Sequence, residues 1–195
     1  MAEKSTYNKG FVVFIATIVA FGGLLFGFDT GVISGAILLI KDDPTLLNGM
    51  DQLPARTQEW IVSITVLGAA FGALTSGRIA DNLGRKKVVI ATAFVFAVGS
   101  VGLAMAGSVT ALIVWRLVIG IAIGVASYTV PLYISEVSPT HARGALVSIN
   151  QLAITVGIFA SYIVDLGFAN FDEGWRWMFL VGLVPSLILF IGMFF

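Results

Sequence analysis

The chain has 195 residues, of which 58% are hydrophobic and 11% charged, with equal numbers of cations and anions and a mean hydropathy of +0.99. A soluble domain is about 45–50% apolar and about 25% charged, and a chain of this size cannot bury such an excess in an aqueous core. The zero net charge excludes a basic nucleic-acid surface, the absence of cysteine excludes disulfide and thiolate chemistry, and the one histidine, His141, cannot build a metal site alone.

A bilayer is the solvent that suits this composition, and six segments are long and apolar enough to cross it as helices of about 20 residues. The first is predicted over Gly10–Ile40. Lys4 and Lys9 precede it, but its apolar run far exceeds the ~7–15 residues of a cleavable signal core, so it is read as a retained span. It contains Gly22, Gly23, Gly27, Asp29, Gly31 and Gly35, a cluster that predicts a bent or locally irregular helix. The remaining spans are predicted over Trp60–Ala80, Val88–Gly107, Thr110–Ile134, Ala145–Phe168 and Trp177–Phe195. The fold class is therefore an all-α membrane protein of six transmembrane helices, with residues 1–195 forming one bundle.

The loops set the orientation. Lys4, Lys9, Arg78, Arg85, Lys86, Lys87 and Arg143 fall on one side, against Lys41, Arg56 and Arg176 on the other, which places the N-terminus in the cytoplasm by the positive-inside rule. Trp60, Trp115, Trp175 and Trp177 lie near span ends, as an aromatic belt predicts, Trp115 somewhat deeper. Arg116-x-x-x-Gly120-x-x-x-Gly124 and Gly68-x-x-x-Gly72 allow close backbone approach and point to a compact bundle.

Two ionisable residues sit well inside spans, Asp29 in the first and Arg116 in the fourth. Each costs about 2.5–3.5 kcal/mol at the bilayer centre on insertion scales. Their mutual attraction at contact is about 4 kcal/mol at an effective dielectric of 20, so pairing offsets much of that cost. Protonating Asp29 would remove the pair and leave Arg116 uncompensated, a direct route from proton binding to conformational change; a fixed pair that only orients two helices is the plainer alternative. Reading six spans as three plus three makes the first and fourth equivalent, as in carriers built from inverted repeats. Gln151, inside the fifth span, is a primary amide that needs partners there; a ligand hydroxyl or a neighbouring helix would serve.

Two loops on the Lys/Arg-rich side carry candidate ion pairs. Gly77-Arg78-Ile79-Ala80-Asp81-Asn82-Leu83-Gly84-Arg85-Lys86-Lys87 has a turn glycine between an acid and three bases. Pro131-Leu132-Tyr133-Ile134-Ser135-Glu136 and Arg143-Gly144 flank the helix breaker Pro139. Glu136 and Arg143 are candidates for a second ion-pair station with Arg85, of about 0–1 kcal/mol per exposed pair, weak enough for a gate that must open.

These motifs carry a resemblance. Gly77-x-x-x-Asp81-x-x-Gly84-Arg85-Lys86-Lys87 resembles the loop motif of the major facilitator superfamily, and Pro131-x-Tyr133-x-x-Glu136 with Arg143-Gly144 its sugar porter version. Gly27-Phe28-Asp29-Thr30-Gly31-Val32-Ile33-Ser34-Gly35 is similar to the first helix of bacterial sugar–proton symporters, and Asn150-Gln151-Leu152 and Trp175-Arg176-Trp177-Met178 fit the same family. The resemblance implies the N-terminal half of a twelve-helix fold with 3+3 inverted repeats and alternating-access transport of a monosaccharide, with protons as co-substrate. It implies Asp29 and Arg116 as the proton-coupling pair, Phe26 and Gln151 as sugar-binding residues, and Asp81, Arg85, Glu136 and Arg143 as a cytoplasmic gate. No enzyme activity and no cofactor are expected. The expected partners are the sugar, protons, the lipid bilayer of the cell membrane and a complementing C-terminal six-helix half. A facilitative polyol or sugar uniporter, and a non-transporting sensor or truncated remnant, are the alternatives.

Overall fold

The computed structural model describes residues 9–47 and 51–194, all helices and connections with no strand among them. Lys4 of the charge count and Phe195 at the end of the last predicted span lie outside the described residues. The helices are α1 (Lys9–Ile40), α2 (Pro44–Leu47), α3 (Ala55–Leu83), α4 (Arg85–Ala104), α5 (Val109–Val137), α6 (Arg143–Phe168), α7 (Gly174–Val181) and α8 (Leu183–Gly192). Six units are long and apolar enough to cross a membrane, with α7 and α8 together forming the sixth.

Two spans differ from expectation. The first is unbroken α-helix through its whole glycine cluster; these glycines serve packing rather than a break, Gly22 against α5 and Gly23, Gly27, Gly31 and Gly35 against α6. The sixth, expected to be continuous, is interrupted at Gly182. Pro185 explains this: it has no N–H for the Val181 carbonyl, and its ring crowds the preceding turn. Elsewhere the punctuation is local. Ser108 caps α5 by accepting from the Ala111 N–H at 3.2 Å. Gly84, at φ 85°, makes the abrupt turn from α3 to α4.

The most extensive contacts are α1 with α6 and α3 with α5; α1 and α5 meet at the centre, α4 packs on α5, and α7–α8 pack on α1 and α4. Exchanging α1 with α5, α3 with α6, and α4 with α7–α8 maps this pattern onto itself. The correspondence extends to single residues. Gly27 lies against the Ile154 carbonyl, and Gly157 against the Leu24 carbonyl and Phe28 N–H. In the other seam Gly120 lies against the Thr65 carbonyl, and Gly68 against the Leu117 carbonyl and Ile121 N–H. Adding 93 to an α1 number and subtracting 89 from an α6 number therefore gives the mate: 27 becomes 120, 154 becomes 65 and 157 becomes 68. Gly31 near the Ile158 carbonyl and Gly124 against that of Ala69 obey the same rule.

Large apolar side chains such as Leu74, Val66, Phe159 and Leu166 are well exposed on the outside, as expected where lipid is the solvent. The interior is apolar, built around Val19, Ile61, Leu103, Leu112, Ile119 and Ile134. At the end opposite the Asp81 and Glu136 loops, α2 and Leu53 fold inward, with Leu46, Leu47 and Leu53 buried.

Candidate functional site

α1 and α5 cross where each carries its one interior charge. The Arg116 guanidinium donates to Asp29 Oδ1 at 2.7 Å, and both side chains are almost fully buried, 2% and 5% exposed. Arg116 is also held by two other helices: its Nε points to the Ile61 carbonyl of α3 at 3.4 Å, and its guanidinium lies 5.8 Å from the Phe179 ring of α7, within cation–π range. Such a pair, removed from water, offsets its own desolvation only while both partners are charged and in place. The neutral acid would leave a cation with only a carbonyl and an aromatic face.

One helical turn from Asp29 towards the Asp81 and Glu136 end, a cavity of about 340 Å³ opens between α1, α5 and α6. Gly22, Gly23 and Phe26 line it from α1, Ser127, Val130 and Pro131 from α5, and Asn150, Gln151 and Ile154 from α6. Its size is within the range of small-molecule sites. Phe26 offers a flat apolar face and Gln151, which is exposed, offers a donor and an acceptor. Pro131 sits inside unbroken α5 and has no N–H for the Ser127 carbonyl, which frees an acceptor in the cavity wall. Neutral hydrogen-bonding groups beside an aromatic face suit a polyhydroxylated neutral ligand, and no side chain lining the cavity carries a formal charge. Among the described residues no group of His, Asp or Glu is placed to hold a metal ion.

At the α3–α4 turn, Arg85 joins two acids, Asp81 at 2.8 Å and Glu136 at 3.1 Å, and donates to the Ala80 carbonyl at 3.3 Å. Arg143, the fourth residue expected in this group, is exposed and makes no ion pair among the described residues. The structure thus joins α3, α4 and α5 through Arg85 and leaves Arg143 available at the start of α6.

The opposite end carries a network that sequence reading missed. Trp175, expected in an aromatic belt, is fully buried, and its indole N–H donates to Asp43. Asp43 also accepts from the Thr45 backbone N–H and hydroxyl at 2.8 and 2.7 Å. Arg176 stacks on Trp175 at 4.3 Å, donates to the Ala104 and Ala106 carbonyls at 2.9 and 2.7 Å, and pairs with Glu173 at 3.0 Å. Burial pushes the Asp43 carboxyl up, but the Thr45 and Trp175 hydrogen bonds and the Arg176 charge outweigh it and hold the group below the ordinary carboxylate range. The Trp-Arg dipeptide was legible, but its partner Asp43 in a polar loop was not. Asp165 is a third ionisable residue inside a span: it is 8% exposed, packs against Gly35 and has both carboxyl oxygens unpartnered. It lies inside the predicted span Ala145–Phe168 and could have been read from the sequence, as Asp29 was.

A family model described as "Sugar (and other) transporter" matches residues 15–195. The chain is 44% identical over 193 residues to the galactose-proton symporter of Escherichia coli (strain K12), covering 99% of this chain and 40% of that protein. It is 47% identical over 189 residues to the glucose transporter GlcP of Staphylococcus epidermidis, covering 96% and 40%. Its fold matches the proton:xylose symporter XylE of the major facilitator superfamily, from E. coli, bound to 6-bromo-6-deoxy-D-glucose, with a TM-score of 0.87 and 29% identity over 96% of this chain and 45% of that one. The chain thus spans less than half the length of the relatives it matches.

Proposed function

Because the chain belongs to the sugar (and other) transporter family of the major facilitator superfamily, we propose that residues 1–195 are the N-terminal six-helix half of a proton-coupled monosaccharide carrier. In this reading a C-terminal six-helix half faces α1, α3, α5 and α6, and the sugar is held between the halves. The protein sits in the cell membrane with its N-terminus in the cytoplasm. The observation that carries the proposal is the buried Asp29–Arg116 pair one helical turn from the cavity.

In this reading the roles divide as follows. Asp29 takes the proton. Its loss of charge releases Arg116 from α1, so the α1–α5 crossing has two states with different electrostatic energies, and a proton gradient selects between them. Phe26 packs against the sugar ring and Gln151 bonds a hydroxyl, so occupancy of the cavity depends on how α1, α5 and α6 are arranged. Asp81, Arg85 and Glu136 hold the cytoplasmic ends closed, and Arg143 reaches for an acid of the other half. Each gate pair is exposed and adds about 0–1 kcal/mol, so opening the gate costs little.

The test is Asp29→Asn in the complete carrier reconstituted in liposomes. Uphill uptake driven by a pH gradient should vanish, while sugar exchange at equal concentration persists. Undiminished accumulation in the variant sinks the coupling role and favours uniport.

A further inference from the structure

The residue correspondence between the two seams places Gly23 where the other seam has Arg116, and Asn150 where it has Ile61 (23 plus 93, and 150 minus 89). The two places are occupied very differently. In the α3–α5 seam the Arg116 side chain fills the space and reaches the Ile61 carbonyl. In the α1–α6 seam Gly23 has no side chain, the Asn150 carbonyl and side chain lie against it, and the cavity opens there.

Among the described residues the Asn150 side chain has no hydrogen-bond partner. Its Oδ1 is closed off against Gly23 without a donor, while its Nδ2 is not closed off. A primary amide carries two donors and an acceptor, and one left unpaired in a wall this apolar is costly. Gln151 is its neighbour on the helix, and successive helical residues diverge by roughly a quarter turn or slightly more. The two amides therefore approach a ligand in the cavity from different directions.

We propose that Asn150 is a second sugar-recognising residue of this cavity, its Nδ2 bonding a hydroxyl that Gln151 does not reach, and that the missing side chain at Gly23 makes room for the Asn150 side chain in the wall. The ligand class is a neutral monosaccharide whose hydroxyl pattern the Asn150–Gln151 pair reads. The inference rests on the cavity being the sugar site, and the test separates the two.

The complete carrier is titrated by calorimetry with D-glucose, D-galactose, D-xylose and the monodeoxy analogues of whichever binds. Asn150→Leu should weaken the parent sugar about tenfold, the scale of one hydrogen bond, and leave unchanged the affinity for the one analogue that lacks the hydroxyl Asn150 bonds. Gln151→Leu should single out a different analogue. Equal weakening of every analogue by Asn150→Leu, or no weakening, makes Asn150 a packing residue of the seam and overturns the inference. If only Gln151→Leu discriminates, the sugar site stands and this inference alone falls. If neither variant discriminates, or no sugar binds the wild type, the sugar site itself is wrong. Should the leucine variant not insert stably, Asn150→Ser, which keeps a hydroxyl in a smaller volume, is expected to retain partial discrimination.

Discussion

In the α3–α5 seam position 116 carries a guanidinium that ties α5 to α1 and α3. In the α1–α6 seam the equivalent position 23 is glycine, and a space of about 340 Å³ opens beside two amides. The backbones of both seams meet in the same way, glycine against carbonyl, at 27 with 154 and at 120 with 65. One scaffold thus supports an electrostatic contact in one copy and an open space in the other. The difference lies in a few side chains placed on equivalent backbone.

The sharpest way to break this comparison is to remove the charge. Arg116→Leu leaves Asp29 buried and unpaired and should destabilise the bundle by about 3–5 kcal/mol. Adding Asp29→Leu should restore most of that loss in detergent thermal melts; no recovery would mean the pair acts through something other than charge. The glycine contacts come next. Gly27→Val and Gly120→Val should each cost about 1–3 kcal/mol by forcing a carbonyl away, and similarly to one another, whereas Gly144→Ala, with nothing within 4 Å, should be near neutral. A large inequality between the first two would show that the seams are not mechanically equivalent.

Smaller effects test the ends. Asp43 is held below the ordinary carboxylate range, so its bonds stabilise the fold above the unfolded value, about pH 3.9, and are lost as pH falls through the folded one. Wild type should therefore lose melting temperature more steeply than Asp43→Asn under strong acid, by about 1 kcal/mol; parallel curves would remove Asp43 from the account. Asp165 and Ser76 are mates by the same correspondence, one with both oxygens unpartnered and the other bonded to the Ala73 carbonyl at 2.6 Å. Asp165→Asn should gain up to about 1 kcal/mol and Ser76→Ala lose about as much, and thermal melts that move both in one direction would contradict the mating. Last, Glu136→Gln should change stability by about 0–1 kcal/mol in low salt and by nothing measurable in 1 M salt, where the Debye length is about 3 Å.

Much of this was legible in the sequence, for identifiable reasons. The six spans follow from composition and length, since a bilayer admits few alternatives. Asp29 and Arg116 stood out because charge inside a span is expensive, and the structure brings them into contact. Gly23 and Asn150 were not legible as a site, because a missing side chain and an ordinary amide acquire meaning only when two helices meet. The break at Gly182 was marked by Pro185, yet Pro131 on α5 causes none; tertiary packing decides what a proline does, and one sequence does not contain that decision. The three-plus-three repeat was anticipated from the span order, but its residue-by-residue mates were not legible, because the halves share backbone contacts rather than residue types.

Glycine against carbonyl has a mechanical consequence for these seams. Helices that meet through side chains interlock, and moving one past the other requires many rotamers to change together. Where backbone meets backbone, with Cα–H groups lying on carbonyl oxygens, the surfaces are smooth and repeat every turn. Resistance to rotation then resides in side-chain contacts beside these seams: Arg85 at one end, the Trp175–Arg176 cluster at the other and the Asp29–Arg116 pair between them. In a bundle made this way the seams act as a bearing, and the resting position is set by those few side-chain contacts.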